Sequence, residues 1–386
     1  MLAVFVFGSF ATVGASGQAS AKWTFAIYMC SDNDLDAYGE LNNEWLMSVG
    51  SSDDVNIVVF WDRSDEPAYL YKILEGSMEE LTDFDYNGVE VNMGDPDVLA
   101  AFVSYLDSEM EADRVLLTLW NHGDDFRGVC FDYTTGTDDS VDYLTQLEIG
   151  DRLAGKPIDV IAVDGCGLGC IETAYEYVSR GVTAEYFVAS GNYVPLDGFP
   201  YDKIAADLVA DPDMSPEMLS KDIVERYAEY YQKGWLTELA VVKLTALNDL
   251  LDELWDVTEI LMDEMATYRW LVAEGRGEAI MGWSQHGWEA TVDMATVFEV
   301  IYAGAPEGSE LKAEAGELMD AFAEAIPYNG LGSPADVWHP WGLSVFFPPS
   351  AGSYRHNVWW HGSIYPTLAF AQDGWLDFLG AFWGKK

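Results

Sequence analysis

The chain has 386 residues, of which 66 are acidic and 19 basic, for a formal charge of −47. That balance excludes nucleic acid as a partner, since phosphate recognition needs a basic patch. A hydrophobic content of 49% with 14% aromatics excludes a disordered chain and allows one large α/β unit or two smaller ones.

At the N-terminus, an apolar stretch from Leu2 to about Ala15 precedes Ala19-Ser20-Ala21, like the core and A-x-A cleavage site of a secretory signal, without its basic start. The stretch is short for a membrane span of about 20 residues, and no other segment qualifies. Removal of residues 1–21, secretion, and no stable membrane insertion are expected. Residues 23–29 are the first strand-like run. Asp32-Asn33-Asp34-Leu35-Asp36 follows; it lacks the glycine and terminal glutamate of an EF-hand loop and reads as a helix cap. Residues 55–61 form a second run. Asp95-Pro96 opens a helix with Val98, Leu99, Phe102, Val103, Leu106 and Met110 on one face.

The third strand, 115–120, runs into Asn121-His122-Gly123. A capping box, Thr145 to Glu148, opens a short helix before the strand 158–163, which runs into Asp164-Gly165-Cys166. Residues 184–189 are the next strand, and Ser215-Pro216 caps a helix to about Tyr231. After about Ala246 the pattern is mostly helical, at 247–267, 294–302 and 310–325. A late run, 342–348, reads as a strand returned to the sheet before an aromatic C-terminal helix. Continuous apolar strands alternating with helices predict a mostly parallel, doubly wound sheet. A core at 22–245 is expected to carry a helix-rich portion at 246–386 packed on it.

In such a sheet, ligands sit off the carboxyl ends of the strands, where His122 and Cys166 both fall. A thiol and an imidazole there are the minimum equipment of a cysteine hydrolase. Their separation, 166 − 122 = 44 residues, is close to the roughly 50 of caspases. His286, His339, His356 and His361 lie in the C-terminal part. Gly123 lets the backbone approach closely, so that its N–H and that of Cys166 can form an oxyanion hole. Gly165, Gly167 and Gly169 favour a tight turn that sets the thiol near a helix N-terminus, whose dipole favours thiolate. Asp164 leaves the strand on the same face as Cys166. It either receives the cationic end of an Arg or Lys, or caps the next helix; the residues leave both open. Cys166 and Cys170 at i,i+4 place Cβ atoms about 5–6 Å apart, against about 3.5–4.5 Å for a disulfide, so Cys170 reads as a small buried helix residue. Cys30 and Cys130 could pair in an oxidising compartment. No Cys/His cluster suits zinc.

Trp120-Asn-His122-Gly123, Asp164-Gly-Cys166-Gly-Leu-Gly-Cys-Ile-Glu172-Thr-Ala-Tyr175 and Gly342-Leu-Ser-Val-Phe-Phe-Pro348 resemble the clostripain family of cysteine peptidases. Trp23-Thr-Phe-Ala-Ile-Tyr28 with Asp32-Asn33-Asp34-Leu35 is similar to that family's first strand and turn. The resemblance covers about Lys22 to Trp383. It implies a caspase-like αβα sandwich, related to legumain, gingipain and separase, and cleavage after Arg or Lys by a Cys/His dyad. Carried over, Cys166 is the nucleophile, His122 the general acid/base, and Asp164 the acidic residue of the S1 pocket. Ser190 falls at an S1-wall serine, while the acidic residue expected next to it is Gly191 here.

Some family members cut themselves between the His and the Cys. This chain has no Arg or Lys between Gly128 and Asp151, so such processing after a basic residue is not expected there. Clostripain itself uses calcium; for this chain calcium rests on the resemblance alone, and no cofactor is expected from the residues. The expected partners are proteins or peptides with a basic P1 residue. The acidic surface reads as solvation suited to high salt, and also as a field that concentrates cationic substrates. Two other readings compete: a non-catalytic peptide-binding module on a caspase-like fold, and a thiol-redox protein using Cys166 and Cys170.

Overall fold

Successive residues of the first strand face opposite sides of the sheet, and both sides are apolar. Ala26, Tyr28 and Cys30 enter one core, while Phe25, Ile27 and Met29 enter another. A strand buried on both faces must lie inside a layered sandwich. A computed structural model of the chain shows this architecture, describing residues 20–134, 141–232, 237–279, 290–332, 340–360 and 364–384.

The strands, in chain order, are β1 (Ala21–Ser31), β2 (Val55–Arg63), β3 (Glu66–Leu74), β4 (Ser77–Glu80), β5 (Ala112–Trp120), β6 (Gly128–Asp132) and β7 (Asp142–Thr145), then β8 (Val160–Asp164), β9 (Tyr186–Ala189), β10 (Glu238–Lys243), β11 (Thr291–Asp293), β12 (Tyr328–Leu331) and β13 (Ser344–Phe346). Nine form the central sheet, in the order β12-β10-β9-β8-β5-β1-β2-β3-β4. The five from β9 to β2 run parallel. Each edge is finished by two antiparallel strands. One face carries the helices Asp36–Met47, Tyr201–Ala210 and Pro216–Tyr230. The other carries Pro96–Glu109, Gln146–Leu153 and Ile171–Ser179 together with the C-terminal helices.

Local signals set several boundaries. Asp95 accepts from Asp97 N–H with Pro96 at the first helical position. Thr145 and Glu148 form the capping box, and Ser215 accepts from Met218 N–H. The helical run expected at 247–267 is two helices, Leu247–Asp263 and Met265–Glu278, which meet at Glu264 with φ −105° and ψ 23°.

The late strand is a correction. Segment 342–348 does not join the central sheet: its β13 pairs antiparallel with β11. A single bridge from Ser344 to Cys170 fastens β13 beside the turn after β8. The strand the C-terminal portion does return is β12, at the edge beyond β10. Glu172, on the helix after Cys166, locks this arrangement by accepting from Phe346 N–H at 2.9 Å and Tyr365 O–H at 3.0 Å. Residues 1–19 of the expected signal lie outside the described residues, as do His286, His339 and His361, while Ala21, its expected last residue, opens β1. Among the described residues, no helix is long and apolar enough to cross a membrane.

Candidate active site

Strands β5 and β8 are adjacent and parallel, with Trp120 in register with Asp164, so the residues following them emerge on one rim. Asn121 fastens that rim. Its Nδ2 donates to Cys30 O, its Oδ1 accepts from Phe131 N–H at 2.8 Å, and its own N–H donates to Asp164 O at 3.2 Å. The ends of β1, β5, β6 and β8 are thereby tied through one residue, its side chain reaching β1 and β6 and its backbone β8. His122, Gly123, Asp164 and Cys166 then line a single cleft of ≈ 170 Å³ with Trp120, Asn121 and the segment from Tyr193 to Gly198.

The two strand ends meet backbone to backbone. A Cβ on Gly123 would lie 2.3 Å from Cys166 O and 2.8 Å from Cys166 N, so only glycine fits. Among the described residues, neither the Gly123 nor the Cys166 N–H is committed to a hydrogen bond.

His122 Nε2 lies 2.8 Å from Asp34 Oδ1. A carboxylate here accepts, so Nε2 carries the proton and Nδ1 is the basic nitrogen. Burial raises the Asp34 carboxyl, but the His122 hydrogen bond and charge, with its own backbone and Tyr133, hold it below its ordinary value. The helix-cap reading of residues 32–36 is thus corrected. The helix begins at Asp36, with Leu35 before it making no side-chain cap, and Asp34 serves the imidazole instead. Sequence reasoning missed Asp34 because a carboxylate ahead of a helix is usually a cap; its contact to His122 spans 88 residues.

The thiol contradicts a second expectation. Cys166 is not at a helix N-terminus, because the next helix starts at Ile171 with Cys170 as its first flanking residue. The Cys166 S–H donates to Val194 O at 3.6 Å, and Val194 N–H donates to Sγ at 3.4 Å. Burial pushes the thiol up to about 12; the Val194 N–H opposes this, and the Asp125 and Asp164 charges add to it. The sulfur is therefore a thiol at neutral pH and requires a base.

Asp164 caps no part of the next helix. Its Oδ2 accepts from Phe199 N–H and Tyr201 O–H, both at 2.9 Å. Burial pushes its carboxyl up to about 6, with the Phe199 and Tyr201 bonds pulling the other way. Oδ1 makes no hydrogen bond to the described residues. Among the described residues, no Lys or Arg lines the cleft.

Ser190 is not brought to the cleft. It is fully buried, donating to Glu238 Oε1 at 3.1 Å and accepting from Asn192 N–H at 3.0 Å. The turn after β9 aims it at β10 rather than at the rim. Gly191 packs against Gly169 O and Ser344, about 3 Å from where a Cβ would sit, so a side chain there would have to push these neighbours back. Cys170 joins the core on one face of the sheet, whereas Cys166 packs against the other, which separates the two thiols. All four cysteines are free, Cys30 and Cys130 included. His356 is exposed on the helix Ala351–Trp360, away from the cleft lining. Among the described residues, two carboxylate groups have spacing for a hard cation: Asp32, Asp62 and Glu90, and Glu253, Asp256 and Glu314.

Residues 27–308 match the clostripain family of peptidases, C11. Clostripain of Hathewaya histolytica is 34% identical over 220 residues, which is 47% of this chain and 41% of that protein, so the match spans less than half of the relative's length. An inactive zymogen C11 protease from Parabacteroides distasonis superposes with a TM-score of 0.69 at 21% identity, over 92% of this chain and 98% of that one. A secreted C11 cysteine protease from Bacteroides thetaiotaomicron, solved with an irreversible peptide inhibitor, gives 0.69 at 17% identity, over 92% and 99% of the two chains. These likenesses establish the shared αβα fold.

Proposed function

The chain belongs to the clostripain family, and from that premise we propose that it is a secreted cysteine endopeptidase cutting after Arg or Lys. The observation that carries the reading is one cleft lined by the His122 imidazole, the Cys166 thiol and a buried carboxylate with no Lys or Arg beside it among the described residues. Secretion is supported by the apolar N-terminal stretch and its A-x-A site.

The substrate's basic side chain enters the cleft and pairs with Asp164 Oδ1, while Phe199 and Tyr201 hold Oδ2. A charged pair in a water-poor pocket is selective because a neutral side chain would leave the carboxylate unpaired. His122, oriented by Asp34, takes the thiol proton on Nδ1 as sulfur attacks the carbonyl carbon. The N–H groups of Gly123 and Cys166 receive the developing oxyanion. His122 then protonates the leaving amine, and water hydrolyses the thioester to return the free thiol.

The test is labelling by a peptide acyloxymethylketone with Lys or Arg at P1, followed by mass mapping. The reading expects a single adduct on Cys166, absent from Cys166→Ala and weakened in Asp164→Asn. Labelling elsewhere, or none on a chain shown to be folded, would favour the non-catalytic binding module.

A further inference from the structure

Ser190 turns away from the cleft towards a fully buried carboxylate, Glu238. Strand β9 ends at Ala189, paired with Ala240 of β10. The next matching pair of that antiparallel ladder would set Gly191 against Glu238, but the ladder stops and the chain turns towards the rim. The Glu238 side chain takes over there. Its Oε1 accepts from Ser190 Oγ at 3.1 Å, and the N–H groups of Gly191 and Asn192 face the same carboxyl and favour its charged form.

The segment held in this way is the one that closes on the thiol. Gly169 N–H donates to Ser190 O and Gly167 N–H to Asn192 O, both at 2.8 Å, so the turn after Cys166 is fastened to this backbone. Val194 then brackets the sulfur, its N–H 3.4 Å and its carbonyl oxygen 3.6 Å from Sγ.

On its far side the carboxyl is covered by the C-terminal portion. A Cβ on Gly342 would lie 3.2 Å from Glu238 Oε2, and Gly342 N–H donates to Asp293 Oδ2 at 2.9 Å. Burial pushes the Glu238 carboxyl up to about 8; the Ser190 bond opposes this, the Asp293 charge adds to it, and the Gly191 and Asn192 N–H groups oppose it. An apolar side chain would fill the same space without the cost of burying a carboxyl. What Glu238 adds is an acceptor.

We propose that Glu238 is a positioning residue for the Cys166 thiol, acting through Ser190, Gly191 and Asn192 to fix the segment that brackets the sulfur. Its effect on turnover rests on the peptidase reading; its hold on the thiol does not. Loosening the segment withdraws Val194 from Sγ and frees the 166–169 turn. The pocket for the substrate's basic side chain has anchors of its own: Asn42 Nδ2 donates to Asp197 O at 3.0 Å and Tyr231 O–H to Gly198 O at 2.7 Å. The defect therefore falls on kcat rather than KM. Loss of the Ser190 hydroxyl alone leaves both N–H groups on Glu238, so Ser190→Ala has little effect.

The experiment compares Glu238→Leu, which fills the space without an acceptor, with Glu238→Gln, whose amide oxygen accepts as Oε1 does. Folded full chains are read in two ways: kcat and KM on a peptide with Arg or Lys at P1, and the rate of Cys166 alkylation by iodoacetamide, mapped by mass spectrometry. Glu238→Leu should lower kcat by about tenfold or more with KM within about threefold. It should also speed alkylation by about threefold or more, because an uncovered thiol ionises more readily. Glu238→Gln should stay within about threefold of the unmodified chain in both. Glu238→Asp, which withdraws the carboxyl by one methylene, should fall between them and decides the matter if Glu238→Leu does not fold. Unchanged alkylation in the deciding variant, or a loss in Glu238→Gln as large as in that variant, overturns the proposal. If the unmodified chain cleaves no peptide, the peptidase reading fails, while the alkylation rates still judge the hold on the thiol.

Discussion

Two acidic pockets on the sheet's rim, around Asp164 and around Asp62, treat a buried carboxylate in opposite ways. Asp164 has one oxygen fastened by two donors and keeps the other for the cleft, whereas neither Asp62 oxygen meets a well-formed hydrogen bond among the described residues. Hydrogen bonds hold the first carboxylate in place for a ligand that comes and goes. The second meets the cost of burial by keeping its proton: burial and the neighbouring Asp132, Glu90 and Asp32 charges push its carboxyl up to about 9. Burial alone therefore does not reveal a carboxylate's task; the donors around it do.

The comparison can be broken at four points, in descending size of effect. Cys166→Ala should lower kcat/KM on Arg and Lys peptides by about 10³-fold or more, measured with fluorogenic substrates; residual activity near that of the unmodified chain would remove the thiol from the mechanism. Asp164→Asn should cost about 10²-fold on basic P1 substrates and far less on neutral ones. The same residue sets a pH limit. Its carboxyl, pushed up to about 6, gains a proton as pH falls through that value, so preference for basic P1 should fall below about pH 6 and stay flat in Asp164→Asn. The stability contribution has the opposite sign: a carboxyl raised from 3.8 in the folded chain loses stabilisation as pH rises from about 4 to 6.

Asp34→Ala should lower kcat about tenfold at nearly unchanged KM, because the imidazole loses its orienting partner while the cleft keeps its charge. A displaced limb in the pH–rate profile would separate positioning from simple misfolding. Ser190→Ala should leave kcat/KM within about twofold and instead cost about 1 kcal/mol of stability, since its hydroxyl serves Glu238 and the Asn192 N–H. A changed P1 preference in that variant would return Ser190 to the cleft.

The parallel centre of the sheet was legible because β1, β2, β5 and β8 are continuous apolar runs. The antiparallel edges were not. β4 is a four-residue, largely exposed strand with little apolar signal, β3 follows β2 with no helix between them, and β10 runs antiparallel to β9 rather than in the βα alternation. His122 and Cys166 were legible from position alone, as residues following strands. Asp34 could not be, since an acidic residue after a strand has a cheaper local explanation as a cap. Ser190 failed for the converse reason: the end of a strand fixes where a residue sits but not which way its side chain turns.

Composition and periodicity thus decided what is local or cumulative: an acidic surface, buried parallel strands, capped helices, and a histidine and a cysteine carried to the same rim. Long-range geometry decided which groups face one another. Asp34 reaches His122 across 88 residues, Val194 closes on a thiol 28 residues away, and neither Asp62 oxygen finds a well-formed hydrogen bond among the described residues. Strand order brings such groups near, but hydrogen-bond partnership turns on ångströms and angles, which arise only when every layer has packed.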